Sequence, residues 1–166
     1  MKNYKNSRGG RNCNPLNIRR GEKWQGLTDT QPDPEFCRFT SMEMGYRAGA
    51  KILLTYYRVF AQRGMKFTIR NIISRWAPPN ENRTEEYIRK VTLMMMGLDY
   101  SGIAPIAVFE LGRPDTPQGA RHIGQLMAAM TCVECGCAPS QVDYLAIRQG
   151  LGLAFNLYPT LDDIKL

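Results

Sequence analysis

Apolar residues recur at helical spacing in five stretches of the chain, and the segments between them are dense in Gly, Pro, Asn and Asp. From Ser41, the positions Tyr46, Ala50, Leu53, Leu54 and Tyr57 share one helical face. Ser41 offers an N-cap oxygen, Glu43 suits the positive end of a helix dipole, and Gly64 is a natural stop. A second helix is predicted from about Thr68 through Ile69, Ile72, Ile73 and Trp76, ended by Pro78-Pro79. Asn82 followed by Glu85 three positions later resembles a capping box. It would open a third helix through Tyr87, Ile88, Val91 and the Met94-Met95-Met96 run. Residues 97–118 read as a Gly- and Pro-rich connector. A fourth helix is predicted from about Pro117 to Cys135, with Ile123, Leu126, Met127 and Met130 on its apolar stripe and Gly136 as terminator. Ser140 would cap a fifth, with Val142, Leu145, Ile147, Leu151 and Ala154 inside.

Ahead of these helices the pattern is different. Residues 1–11 are polar and basic and read as a flexible arm, and residues 12–40 read as loop with short strand-like pieces. The expected architecture is therefore mainly α, with an irregular N-terminal loop and short-strand region. The expected division is an arm over 1–11 and a single domain over 12–166.

Composition narrows the class. With 43% apolar residues in 166, the chain can bury a core without a metal or disulfide staple, and full disorder is excluded. No apolar run approaches the roughly 20 residues of a membrane-spanning helix. The polar, basic start lacks the apolar core of a secretory signal, so synthesis in the cytoplasm is expected. Twenty-two Lys and Arg against fifteen Asp and Glu give a net charge of +7. Such a charge serves solubility, or an anionic partner such as nucleic acid, the bacterial wall or a lipid surface. The basic residues before position 60 are scattered among Gly and Asn rather than set along one helix face, which argues against nucleic acid. Five cysteines, an odd number, argue against a disulfide framework. The spacing Cys132-x-x-Cys135-x-Cys137 invites a zinc reading, but Cys13, Cys37 or His122 would have to complete the set. Small buried thiols are the favoured account of the cluster, and no metal or cofactor is expected.

Three constellations could carry chemistry. Asn12-Cys-Asn-Pro-Leu-Asn-Ile-Arg19 with Trp24-Gln-Gly26 offers amides for polar ligand groups and a ring for a sugar face. The same residues could simply bond their own backbone, with Trp24 pinning the loop. Trp76 to Tyr87 is a helix–loop–helix corner in which the Tyr87 hydroxyl could enter a cleft. Glu134 lies near the C-terminal end of an apolar helix, among Met127, Met130, Val133 and Cys135. Burial and the negative helix end would both raise its pKa, as general-acid cleavage of a glycosidic bond requires. It could also point to water or pair with Arg121 or Arg148.

The order of these pieces resembles a family. Asn14-Pro-Leu-Asn-Ile-Arg19 with Trp24-Gln-Gly26 is similar to the Asn-Leu-Phe-Gly-Ile-Lys and Trp-x-Gly segment of glucosaminidase-type peptidoglycan hydrolases. Phe36 to Gly45 is similar to the segment that follows there, Trp76 to Tyr87 to their Ala-Thr-Asp-Pro-x-Tyr corner, and Ala128 to Gly136 to their catalytic helix. The catalytic helix comes first in those enzymes and last here, so the resemblance implies a circularly permuted, lysozyme-like domain. A resemblance covering nearly the whole chain is to phage and prophage proteins known as structural or virion proteins. They share an Arg-Asn-Asn-Asn-Pro-Gly-Asn-Ile-Arg start, a Trp-x-Gly, a Trp-Ala-Pro-Pro corner and a late His-Glu-Asn-Gly. This chain matches through Arg11 to Arg19, Trp24 to Gly26, Trp76 to Thr84 and Val133 to Gly136, and departs at Cys13, Leu16, Arg83, Val133 and Cys135.

What the resemblance implies is a peptidoglycan-cleaving glycosidase. Glu134 would be the catalytic acid, Asn14, Asn17 and Trp24 would position the glycan, and Tyr87 would support the reacting centre. Asp29, Asp33, Glu35 and Glu43 are the candidates for a second acid. If none faces Glu134, the reaction is substrate-assisted or of the lytic transglycosylase type. Peptidoglycan strands and virion or secretion-apparatus proteins are the expected partners, with action at the cell wall after lysis, injection or non-classical export. The other reading is a virion or wall-binding protein with a degenerate lysozyme-like cleft and no activity.

Overall fold

The structure, a computed structural model, describes residues 4–96 and 110–166. Seven α-helices are found among the described residues, and no strand longer than an isolated bridge. They are α1 (Arg8–Arg11), α2 (Met42–Gln62), α3 (Ile69–Trp76), α4 (Thr84–Met96), α5 (Pro117–Cys135), α6 (Tyr144–Phe155) and α7 (Leu161–Ile164). The mainly α expectation holds.

α5 is the central element. Ile123, Leu126, Met127, Ala128, Ala129 and Met130 are all fully buried, so the helix is enclosed on every side rather than along one stripe. α4, α6, α7, α1 and α2 pack around it. α2 also lies along α6, and the approach is close because Gly150 faces Tyr46: a Cβ there would stand 2.7 Å from the Tyr46 Cβ and 2.9 Å from the Glu43 carbonyl. Most of the stabilisation comes from burying these aliphatic and aromatic side chains, at about 25 cal/mol per Å² of apolar surface.

The helix ends of α2, α3 and α5 follow their sequence signals. Ser41 accepts from the Met44 amide and Thr68 from the Asn71 amide. α5 ends at Gly136, whose φ of 63° is the left-handed cap that glycine adopts without Cβ strain.

Other expectations need correction. Asn82 does not cap α4; its side chain turns back to the Pro78 carbonyl, the helix starts at Thr84, and the Thr84 hydroxyl bonds the Ala77 carbonyl. Ser140 does not cap α6; residues Pro139–Gln141 form a 3-10 turn and Asp143 takes the cap, accepting from the Ala146 amide. Leu145, expected inside, is 56% exposed, because Ala146, Ile147, Gly150, Leu151 and Ala154 form the buried face of α6 and Leu145 falls on the other side at 100° per residue. Most of the connector predicted over 97–118 lies outside the described residues.

Residues 4–11, expected as a flexible arm, are packed against the helical body. Tyr4 is buried with its hydroxyl on the Met42 sulfur, and Gly9 sits against the Asn14 carbonyl and the Cys135 sulfur. Arg8 is bidentate to Asp33 at 2.7 Å and reaches Glu35 at 2.8 Å. Arg8 thus has specific carboxylate partners in the loop that follows, while Arg11 donates to the Asn6 carbonyl.

That loop, residues 12–40, folds back on itself through antiparallel bridges between Arg19 and Phe36 and between Leu27 and Phe39. Asn14 and Asp33 hold it. The Asn14 amide donates to the Ile18 and Cys37 carbonyls, and its oxygen accepts from the Ile18 amide, all at 2.9 Å. Asp33 accepts from Arg8, from the Asn12 side chain and from the Glu35 and Phe36 amides. These bonds satisfy backbone groups that a loop without strands would leave unpaired.

Candidate functional site

The N-terminal loop, the α3–α4 corner and the last turn of α5 meet at Glu134. This residue occupies the last turn of α5, and three donors from three separate segments converge on its carboxyl group. The Asn17 amide donates to Oε2 at 2.9 Å, the Tyr87 hydroxyl to Oε1 at 2.9 Å and the Trp76 indole to Oε1 at 3.3 Å. Asn17 comes from the N-terminal loop, Trp76 from the end of α3 and Tyr87 from the first turns of α4. Neither Arg121 nor Arg148 pairs with it: Arg121 lies 3.9 Å from Asp163, and Arg148 donates to the Pro159 carbonyl.

Local structure explains each placement. Asn17 follows a tight turn, its amide on the Asn14 carbonyl at 3.0 Å, and adopts a φ of 49°. That left-handed conformation suits asparagine better than β-branched or bulky residues. α3 breaks at the Pro78-Pro79 pair, which leaves Trp76 at the edge of the corner. Tyr87 faces inward from α4 and is only 8% exposed.

Electrostatics at this carboxyl are a contest between burial and hydrogen bonding. Desolvation pushes the Glu134 pKa up and is the larger effect; the bonds from Asn17, Tyr87 and Trp76 pull it down. The net direction is upward. The position at the negative end of α5 acts in the same direction as burial. The Tyr87 hydroxyl is held far above its ordinary pKa by burial and by the adjacent carboxylate, so it stays protonated and donates.

Glu134 opens onto a cleft of about 450 Å³. Asn17 and Trp24 line it on the loop side, with Arg19, Arg20 and Phe36. Tyr56 of α2 and Trp76 line the opposite side. Four aromatic rings with a few polar groups around one partly buried acid suit a sugar-like ligand, whose CH faces stack on rings. Trp76 also meets Tyr56 edge-on at 6.3 Å. Two polar atoms at the site, Asn17 Oδ1 and Trp24 Nε1, are buried without a partner among the described residues.

The residues singled out in the sequence divide as follows. Glu134, Asn17 and Tyr87 are in direct contact, and Trp24 stands in the wall of the same cleft. Asn14 is not in it. Its side chain is fully buried beneath the loop and is saturated by backbone groups, so its role is to shape the turn that carries Asn17. Asp29, Asp33, Glu35 and Glu43 do not line the cleft either; Asp33 and Glu35 are held by Arg8. The other carboxylates in the cleft are Glu22 and Glu81, both exposed, with Glu81 lying 3.8 Å from Arg19. Trp76, placed by the sequence at the end of the second helix and not singled out as a site residue, joins the site. A buried indole N–H needs an acceptor, and the nearness of Trp76 to Tyr87 in the corner motif was the signal for it.

The cysteines of the Cys132, Cys135 and Cys137 group are free thiols, and Cys132 and Cys137 lie against each other. Cys135 points to the Pro15 carbonyl at 3.4 Å and Cys137 to the Thr131 carbonyl at 3.8 Å. Burial raises the Cys132 thiol pKa to about 12 and that of Cys135 to about 11, values unsuited to thiolate chemistry.

Comparison with known proteins gives one relative to report. Over 89 residues the chain is 45% identical to Protein P5 of Pseudoalteromonas phage PM2, an alignment covering 51% of this chain and 53% of that protein. The chain therefore spans about half the length of the curated relative it matches. No protein-family model matches the sequence.

Proposed function

We propose that this chain is a phage-type protein that cleaves the glycan strands of peptidoglycan, with Glu134 as its single catalytic carboxyl group. The observation that carries the reading is the Glu134 constellation: a desolvated acid, oriented by Asn17, Tyr87 and Trp76, facing an aromatic cleft. A carboxyl whose pKa is raised by burial remains protonated closer to neutrality and can deliver its proton to a leaving oxygen.

The chemistry follows from having one such acid. Glu134 gives its proton to the bridging oxygen as the bond from that oxygen to the anomeric carbon breaks. Positive charge develops on the sugar ring, and the resulting carboxylate stabilises it. The carboxylate then accepts the proton of the attacking hydroxyl, which restores the acid. Among the described residues no second carboxylate bonds Glu134, and the cleft's other two, Glu22 and Glu81, are exposed. The attacking group is then the sugar's own hydroxyl, as in a lytic transglycosylase; in substrate assistance the N-acetyl oxygen attacks first, and a water that gives its proton to the Glu134 carboxylate opens the ring so formed. Proton transfer of this kind contributes about 10²- to 10⁴-fold to rate. Tyr87 and Trp76 hold the carboxyl in one orientation throughout.

A second reading is favoured by the phage relative and by the exposure of the cleft's other carboxylates, Glu22 and Glu81. In it the chain is a virion component that binds wall glycan, or a protein partner, through the same cleft without cutting. Incubation with purified sacculi followed by mass analysis of the soluble products separates the two. Anhydro-ended muropeptides support the transglycosylase form and reducing-ended ones the hydrolytic form. Binding to sacculi with no released product supports the virion component and refutes the enzyme.

A further inference from the structure

Glu134 lines two cavities. Next to the aromatic cleft is a smaller hollow of about 230 Å³, and the two share Glu134 and Asn82. Their chemistry differs. The smaller hollow is walled by the outer face of α4, with Arg83, Glu86 and Lys90 around the Tyr87 ring. Lys90 lies 2.8 Å from Glu86 and Arg83 lies 3.7 Å from it. These two cations pull the Glu86 pKa down, so it stays ionised, and the trio carries one net positive charge. The Arg83 side chain is 90% exposed and its contact with Glu86 is long, so it can turn toward a ligand without breaking a tight pair.

We propose that this hollow is a subsite for the part of the strand beyond the reacting bond, and that Arg83 and Lys90 bind a carboxylate carried there on a sugar substituent. The inference rests on the glycan reading of the site. It adds a division of labour: stacking on the aromatic side of Glu134, charge recognition on the α4 side. Charged bonds to a carboxylate are the stronger class of hydrogen bond, and a surface pair of them gives a preference of about tenfold.

The test measures sedimentation of the protein with purified sacculi in the Glu134→Gln background, so that binding is read apart from cleavage. Sacculi are used native or with their carboxylates amidated by carbodiimide coupling to methylamine. Amidation is expected to weaken binding about tenfold. The Arg83→Gln/Lys90→Gln pair is expected to bind native sacculi at that weaker level and to be indifferent to amidation. Glutamine preserves the helix, so α4 should survive the change. The charge-matched control Arg63→Gln/Lys66→Gln, at exposed positions outside both cavities, should keep the sensitivity to amidation. Amidase-stripped strands identify the source. Stripping frees the lactyl carboxyl that the stem amide ties up in intact strands, so binding lost there assigns the carboxylate to the peptide stem, and binding retained shows that a carboxylate borne directly on the sugar suffices. Full amidation sensitivity in the Arg83/Lys90 variant, or no difference between native and amidated sacculi, overturns the inference. Failure of the catalytic reading is seen separately, as absence of released product from the unsubstituted protein.

Discussion

Removing one hydroxyl at Tyr87 tests the electrostatic account of the site. Tyr87→Phe keeps the ring, which is buried on α4, and deletes only the donor 2.9 Å from Glu134 Oε1. That oxygen keeps the Trp76 indole at 3.3 Å, a long bond, while Oε2 keeps Asn17. Losing a hydrogen bond to a charged acceptor costs about 1.5–3 kcal/mol, and loss of a bond to a neutral one about 0.5–1.5. Near pH 8 the expected destabilisation is about 2 kcal/mol, or about 4–8 °C in Tm for a domain of this size. Near pH 4, where Glu134 is protonated, it shrinks to about 1 kcal/mol. The sign follows from linkage. Burial raises the Glu134 pKa above its unfolded value, so the folded state holds more protons and stability falls as pH rises through that range. The phenol lowers this pKa, so its loss raises the pKa further and steepens the fall. Chemical denaturation of both proteins at the two pH values reads this directly. An equal loss at both pH values, or none, would mean that Glu134 is not the charged acceptor of Tyr87, and the argument fails.

Asp33 should behave in the opposite sense to Glu134: Arg8 and further donors hold its pKa well below the ordinary carboxylate value of 3.8, so its stabilisation is present above that value and lost as pH falls. Asp33→Asn should therefore flatten the acid limb of a thermal-midpoint curve below about pH 4, and an unchanged acid limb would contradict the clamp. Gly45→Ala places a Cβ 2.3 Å from the Cys13 carbonyl, a backbone atom that cannot swing aside; it should cost about 1–3 kcal/mol or more and make the 12–40 loop more susceptible to limited proteolysis, whereas wild-type stability would show that the loop does not dock there.

The helices that were legible in the sequence are those whose ends carry their own signals. Ser41, Thr68 and Gly136 each act on backbone groups within one turn, so their effect is local and readable. Asn82 and Ser140 carry the same chemistry and do not cap: the Asn82 side chain turns back to Pro78 and α4 starts one residue later than its cap would set, while Asp143 caps α6 three residues after Ser140. The N-terminal segment misled because lysines and arginines beside glycine read as solvated; its partners, Asp33 and Glu35, lie some 25 positions away and no local pattern announces them. At the site, Glu134 stood out by contrast with its apolar helix, and Tyr87 by its place in the corner. Asn14 and Asn17 are the same residue type three positions apart, yet one is a buried backbone staple and the other contacts the acid. The positive φ of Asn17 makes that distinction, and residue identity alone does not encode it.

The most direct measurement is a paired assay on Glu134→Gln. Glutamine keeps the shape, its carbonyl can face Tyr87 and Trp76, and its amide can face Asn17 once that side chain turns its unpartnered oxygen inward. The account predicts a Tm within about 3 °C of the parent, since roughly 1 kcal/mol or less changes, and no muropeptide released from sacculi that the parent digests. Undiminished release by this variant would contradict the assignment of Glu134 as the catalytic acid.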